Sequence, residues 1–138
     1  MSNQVRNTLE LSGDESQIRK FIETVDDGES RLSFNKILPS PEGLSPNDDC
    51  EWSRENWGTK WQAYDIETWD NNSLRFVTAN GAPYPFLIQA SKMFPDVLFF
   101  LGFSIEMDYD YYTIKIKNGE VLDAQREINE EFRKLMEG

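Results

Sequence analysis

The chain has 138 residues, of which 38% are hydrophobic and 13% aromatic, as expected of one folded domain rather than a disordered segment. Its 25 acidic and 14 basic residues give a formal net charge of -11, which disfavours ordinary binding to nucleic-acid backbones. The absence of histidine removes the commonest general base and zinc ligand, and a single cysteine excludes an intrachain disulfide.

The first two predicted elements are a strand and an amphipathic helix. The strand runs from Val5 to Leu11, with its apolar residues on one parity. Asp14 or Ser12 can cap the helix that follows. The apolar stripe of this helix has the spacing i, i+3, i+4, i+7 and consists of Ile18, Phe21, Ile22 and Val25.

The segment after this helix predicts a strand and then a long loop. Residues 33–38 predict the strand, and the proline-rich residues 39–56 predict the loop, with a helical turn as an option from Glu51 to Trp57. Residues 60–67 and 73–79 then predict two strands of an inserted hairpin.

The second half of the chain predicts a helix, two strands and a C-terminal helix. The first of these helices begins near Pro83 and Pro85 and has an apolar stripe made of Phe86, Leu87, Ala90, Met93 and Phe94. Strands are predicted over 97–105 and 111–117, separated from the tail by an Asn-Gly turn. The tail predicts a helix over residues 121–136, with a buried face made of Ala124, Ile128, Phe132 and Leu135.

This order of elements predicts the α+β class and one domain over residues 1–138. Two β-α-β halves fit a ferredoxin-like sandwich, with an antiparallel sheet and two helices on one face. The inserted hairpin and the C-terminal helix would be additions to that frame. Residues 1–8 lack the apolar core of a signal peptide, and the apolar run 97–101 is too short to span a bilayer. We therefore expect a cytoplasmic protein without membrane contact.

The most distinctive segment is Asn56-Trp57-Gly58-Thr59-Lys60-Trp61. Two explanations fit it. Trp57 and Trp61 can close one end of the core, with Gly58 supplying an unusual backbone angle. Alternatively, the two tryptophans and Lys60 form an aromatic surface that binds a protein, because tryptophan is enriched in binding hot spots.

A second candidate contact region is the acidic and aromatic run over residues 108–112. It predicts either a hairpin turn with outward tyrosines or a tyrosine-rich contact surface that includes Tyr109 and Tyr111. Tyrosine suits recognition because its large side chain loses little conformational entropy on binding.

We predict no catalytic residue, no cofactor and no metal site. Asp48, Asp49, Cys50 and Glu51 are adjacent in sequence, but a lone thiol among carboxylates mixes soft and hard ligands and suits no metal well. Cys50 also lacks the histidine that usually activates a nucleophilic thiol. No glycine-rich phosphate loop is present.

Several stretches together resemble the YubB-type ferredoxin-like domain family of plasmids, phages and related mobile elements. They occur in order between residues 5 and 120 and comprise Arg6-Asn7-Thr8-Leu9 with Gly13, Phe34 to Pro41, Asn56 to Trp61, Phe76 to Ala79, Phe94-Pro95, Glu106 and Asn118-Gly119-Glu120. Asn80 stands where members usually carry tryptophan, and residues 107–111 replace a glycine-containing stretch. The resemblance implies a ferredoxin-like fold and a mobile-element setting, without an activity or catalytic residues.

Three classes of function remain open at this stage. The first is a small binding module of a mobile element, which contacts a protein such as a host factor. The second is a nucleic-acid-associated protein, which would need a local basic face formed by Lys60, Lys115 and Lys117. The third is an enzyme that works with carboxylates, a lysine or a tyrosine in a pocket. The sequence indicates neither the identity of a partner nor the oligomeric state.

Overall fold

A computed structural model describes residues 3–106, 110–127 and 134. Within this part of the chain the elements are β1 (Gln4–Gly13), α1 (Glu15–Thr24), a short 3-10 helix (Phe34–Lys36), α2 (Pro46–Asn56), β2 (Ser73–Ala79), α3 (Tyr84–Met93), β3 (Val97–Ile105), β4 (Tyr111–Lys117) and β5 (Glu120–Glu127). The strands form one open antiparallel sheet in the order β2-β1-β3-β4-β5. The fold is therefore α+β, as the sequence predicts.

Strand alternation gives this sheet two chemically different faces. Leu9 of β1 is buried and pairs with Leu74 on one side and Leu101 on the other. Residues of this parity meet the apolar side chains of α1 and α3, and we call this side the covered face. Residues of the other parity, such as Arg6 and Glu10, lie on the opposite side, which we call the open face.

Aromatic side chains fill the space between the covered face and the helices. The ring of Phe21 on α1 packs edge-on against Phe99 of β3 at 5.1 Å and against Phe94 at 5.6 Å between centroids. Phe86 of α3 contacts Phe34 at 4.6 Å. These large side chains are almost fully buried, so their burial is the main stabilising contribution to the fold.

Several predicted elements are confirmed. β2, β3 and β4 have the predicted bounds, and β1 extends the predicted strand by one residue at its start and two at its end. Asp14 caps α1, because its carboxylate accepts the backbone N–H of Gln17 at 3.0 Å. The predicted stripe of α3 is buried at Phe86, Leu87 and Ala90, whereas Met93 is exposed.

The predicted strand over residues 33–38 is wrong. This segment forms the 3-10 helix, and the backbone N–H of Phe34 donates to the side chain of Gln62 at 2.8 Å instead of to a strand. Phe34, Ile37 and Leu38 are spaced i, i+3, i+4, which matches a helical period better than strand alternation.

The loop predicted over residues 39–56 is wrong in its second half, where α2 begins at Pro46 and takes in most of the optional helical turn predicted from Glu51 to Trp57. The Ser45 hydroxyl accepts the N–H of Asp48 at 3.2 Å and caps this helix. Proline in the first turn and two aspartates at the N-terminal end also favour helix initiation here.

The inserted hairpin is only partly formed. Residues 60–67 run beside β2 but make only an isolated bridge, between Tyr64 and Val77, rather than a continuous strand. Asp65 has a φ of 48°, a left-handed conformation that interrupts an extended strand. The N–H of Glu67 resumes the pairing by donating to the Arg75 carbonyl at 2.9 Å.

The C-terminal helix predicted over residues 121–136 is wrong for the first seven residues, which belong to β5. Asn118 and Gly119 both have positive φ, as a two-residue hairpin turn requires, and this turn directs the chain back along β4. Ala124 of the predicted helical face instead pairs with Ile114. Ile128, Phe132 and Leu135 lie outside the described residues.

The strand order does not establish a ferredoxin-like topology. Because residues 33–38 form no strand, the strand that follows α1 is β2, which pairs directly with β1 in antiparallel orientation. None of the helices within the described residues combines the length and apolar character that a bilayer span requires.

Candidate binding surfaces

The structure places Trp57 in the core. Its side chain is 3% exposed, and its ring N–H donates to the Leu38 carbonyl at 2.8 Å. Its ring packs against Phe34 at 5.4 Å and edge-on against Trp52 at 5.3 Å. Trp57 therefore supports the surface from below, and its side chain is not available to a partner.

A tight backbone turn separates Trp57 from the residues that follow. Gly58 has a φ of 87°, and a Cβ at this position would lie 2.7 Å from the Ala82 carbonyl oxygen, so a larger residue would be strained. The buried Thr59 hydroxyl donates to the Trp61 carbonyl at 2.7 Å, and the Lys60 N–H donates to the Ala79 carbonyl at 3.0 Å. These contacts fix the backbone of residues 58–61.

Trp61 emerges from this turn with 46% of its side chain exposed. The Lys60 ammonium lies 4.8 Å from the centroid of the Trp61 ring, within range of a cation–π interaction. We call Lys60 and Trp61 the Trp-Lys patch. Lys60 also borders a shallow depression lined by Cys50, Glu51 and Arg54 of α2.

The other two tryptophans do not extend this patch. Trp52 and Trp69 are partly buried and pack against the core. The Trp69 ring lies edge-on to Phe21 at 6.5 Å, and its buried ring N–H finds no hydrogen-bond partner among the described residues. Of the tryptophans in the chain, Trp61 has the most exposed side chain.

Tyr111 belongs to a different surface, the open face. Its hydroxyl lies over Gly102, where a Cβ would collide with it. Partial burial, followed by the negative charges of Glu10 and Glu127, raises the pKa of Tyr111 above its ordinary value. The hydroxyl therefore keeps its proton at neutral pH and can donate a hydrogen bond. Tyr109 lies outside the described residues.

The open face also contains a depression that the sequence analysis missed. It has a volume of about 400 Å³, and we call it the open-face depression. Its lining includes polar residues of four strands and of the segment beside β2, namely Arg6, Thr8, Asp65, Glu67, Arg75, Ser104 and Tyr111. In the sequence, the alternation of outward-facing residues in β1 was the available sign of this surface. Which residues of the other strands lie beside them depends on the register of strand pairing.

The three lysines Lys60, Lys115 and Lys117 do not gather into one surface. Lys115 lies on the open face with its ammonium 5.8 Å from the Phe100 ring centroid, and Lys117 has the same parity on β4. Lys60 lies beside β2, which is separated from β4 by β1 and β3. The basic face required by the nucleic-acid hypothesis is therefore not assembled from these three lysines.

Among the described residues, no three acidic or cysteine side chains group as a metal site would require. Asp48 and Asp49 instead lie in the first turn of α2, where negative charge complements the helix dipole. Cys50 is a free and partly buried thiol on the same helix.

Comparison with known proteins finds one distant structural likeness. No family model and no curated protein matches the chain. Among solved structures, the chain is similar to the crystal structure of protein api92 from Yersinia pseudotuberculosis, which carries the family model DUF1281. The two are 15% identical with a TM-score of 0.48, and the match covers 70% of this chain and 39% of that chain.

Proposed function

We propose that this chain is a small acidic binding module that acts through protein–protein contact, with the Trp-Lys patch as the centre of the contact. The observation that carries the proposal is the 46% exposure of Trp61 on a backbone that is fixed by buried neighbours. A rigid exposed aromatic side chain loses little entropy on binding and offers a large area for burial.

Lys60 strengthens this assignment because it adds a positive charge directly beside the aromatic ring. The adjoining depression is lined by both Arg54 and Glu51, so side chains of both charges lie beside the patch. The patch therefore favours a partner that offers an apolar pocket for Trp61 with polar groups around it.

The biological setting is a proposal that depends on the family resemblance of the sequence. A cytoplasmic module of a phage, plasmid or other mobile element would act on a host factor. That resemblance includes the Asn56–Trp61 segment, from which the exposed patch emerges. The proposal requires no catalytic chemistry.

Affinity capture from a bacterial lysate tests this function. The tagged full-length chain serves as bait beside Trp61→Ala and Lys60→Ala variants, with Met93→Ala as the matched control. Met93 is 55% exposed on α3 and lies outside the patch. We expect one stoichiometric protein to be retained by the wild type and Met93→Ala, and lost from Trp61→Ala.

Two results would contradict the proposal. Equal retention by all variants would show that the contact lies elsewhere on the surface. Capture that disappears when the lysate is treated with nuclease would instead support the nucleic-acid alternative. Circular dichroism and thermal melting of each variant establish that a lost partner does not reflect unfolding.

A further inference from the structure

The open-face depression has the size of a small-molecule site and is separate from the Trp-Lys patch. Its volume of about 400 Å³ falls within the range of known ligand pockets. The buried Val77 contributes to its apolar floor, and its other lining residues are mostly polar.

Two opposite charges in this depression are not neutralised. Arg75 forms an ion pair with Glu67 at 2.6 Å. By contrast, Arg6 and Asp65 line the same depression, and neither forms an ion pair or a side-chain hydrogen bond within the described residues. A ligand that complements both must carry a negative group for Arg6 and a positive group for Asp65.

The strand register places three hydroxyl groups beside Arg6. Ser104 is the direct partner of Arg6 across β1 and β3, and Thr8 faces Gly102 in the same ladder. The Tyr111 hydroxyl lies over that glycine. A guanidinium on a surface that also presents hydroxyl donors is suited to the two oxygens of a carboxylate.

Asp65 lines the depression from the segment beside β2, and backbone hydrogen bonds hold it in place. The segment on its N-terminal side exchanges hydrogen bonds of 2.8 and 2.9 Å between Tyr64 and Val77. On its C-terminal side, the Glu67 N–H donates to the Arg75 carbonyl. These bonds fix the residue at the edge of β2, and its carboxylate provides an acceptor for an ammonium group.

We propose that the open-face depression binds a small zwitterion of the free α-amino acid class, with the ligand carboxylate at Arg6 and the ligand ammonium at Asp65. Both protein charges are exposed to solvent, so the contacts are screened and the affinity should be weak. The inference is independent of the protein–protein contact proposed above, since it uses different residues on a different surface.

Titration of the isotope-labelled chain, monitored by amide nitrogen–proton NMR, tests the site. Each of the common free amino acids is added to about 10 mM, well above a millimolar Kd. Acetate and methylammonium serve as probes with a single charge. We expect saturable shifts at Arg6 and Val77 with at least one amino acid, and no saturation with either single-charge probe.

Two charge-neutralising variants and one control locate the binding. Arg6→Gln and Asp65→Asn should each weaken binding about tenfold or more, as expected for loss of one charge-assisted contact. Lys115→Gln changes a charge on the same face outside the depression and should leave the affinity unchanged. All three positions are exposed, so the variants should remain folded.

Three outcomes would overturn the assignment. The first is that no amino acid gives a saturable shift. The second is that acetate alone saturates the same shifts as the amino acids do. The third is that the affinity of Arg6→Gln stays within about twofold of the wild-type affinity. None of them bears on the Trp-Lys patch, which is tested by capture of a protein.

Discussion

The covered and open faces of the sheet are built from the same strands but contribute to different properties. Phe99 and Phe100 are neighbours on β3, yet Phe99 is fully buried among aromatic side chains and Phe100 is partly exposed beneath Lys115. Strand alternation places these two residues on opposite faces of the sheet. Substitutions on the covered face should therefore mainly change stability, and substitutions on the open face should mainly change binding.

Phe99→Ala should have the largest effect on stability. Removal of a fully buried ring that contacts Phe21 should lower the free energy of unfolding by about 3–5 kcal/mol. Phe100→Ala on the open face should cost about 1 kcal/mol or less. Urea unfolding of both variants measures this difference, and equal losses would contradict the assignment of the two faces.

The two tryptophans of the Asn56–Trp61 segment should show the same contrast, with a larger loss of stability at the buried residue than at the exposed one. Trp57→Phe removes the hydrogen bond to Leu38 and leaves a buried gap, so we expect a loss of about 2 kcal/mol in the free energy of unfolding. Trp61→Phe should change it by about 0.5 kcal/mol or less, because the side chain is exposed. A larger loss at Trp61 would indicate that it belongs to the core.

Gly102→Ala should have a smaller effect that depends on Tyr111. The added Cβ displaces the tyrosine hydroxyl, which should cost about 1 kcal/mol in the wild type. In a Tyr111→Ala background the same change should be neutral or stabilising, because alanine restricts the unfolded chain more than glycine does. A double-mutant cycle measures the coupling, and the absence of coupling would argue against the observed position of Tyr111.

The smallest predicted effect concerns acid stability. Hydrogen bonds from the Ser16 hydroxyl and from the Gln17 backbone lower the pKa of Asp14 below its ordinary value of 3.8. A lowered pKa means that stability is present above pH 3.8 and is lost as the pH falls through the folded-state pKa.

Asp14→Asn tests this effect, since it keeps a capping oxygen but cannot titrate. The acid side of a melting-temperature profile should therefore be shallower than in the wild type. Glu23→Gln on α1 is the control, because the Glu23 carboxylate accepts no hydrogen bond within the described residues. An unchanged acid slope in Asp14→Asn would contradict the assigned role of this carboxylate.

The sequence predicts the central strands well because their apolar residues alternate over long enough runs. It fails where two patterns compete. The segment from Val121 also satisfies a helical spacing, and its pairing with β4 depends on a turn at Asn118 and Gly119 that directs it to a neighbouring strand. The first half of α2 was missed, since only a helical turn from Glu51 to Trp57 was an option. Pro46 and its polar neighbours also suit a loop.

The candidate surfaces were harder to predict than the strands. Trp57 and Trp61 have the same chemistry, and what separates them is a hydrogen bond to Leu38, 19 residues away in the chain. The open-face depression depends on the register of four strands and on the segment beside β2. Only the alternation of Arg6 and Thr8 with the buried residues of β1 was visible in one stretch of sequence.

We propose that exposed Trp61, on a turn fixed by buried neighbours, carries the contact with a protein partner. Isothermal titration of the captured and purified partner against the wild type, Trp61→Ala and Met93→Ala tests it most directly. We predict a loss of at least about 2 kcal/mol for Trp61→Ala, which is roughly 30-fold in Kd, and no change for Met93→Ala. A folded Trp61→Ala variant that binds within about twofold of the wild type would contradict the claim.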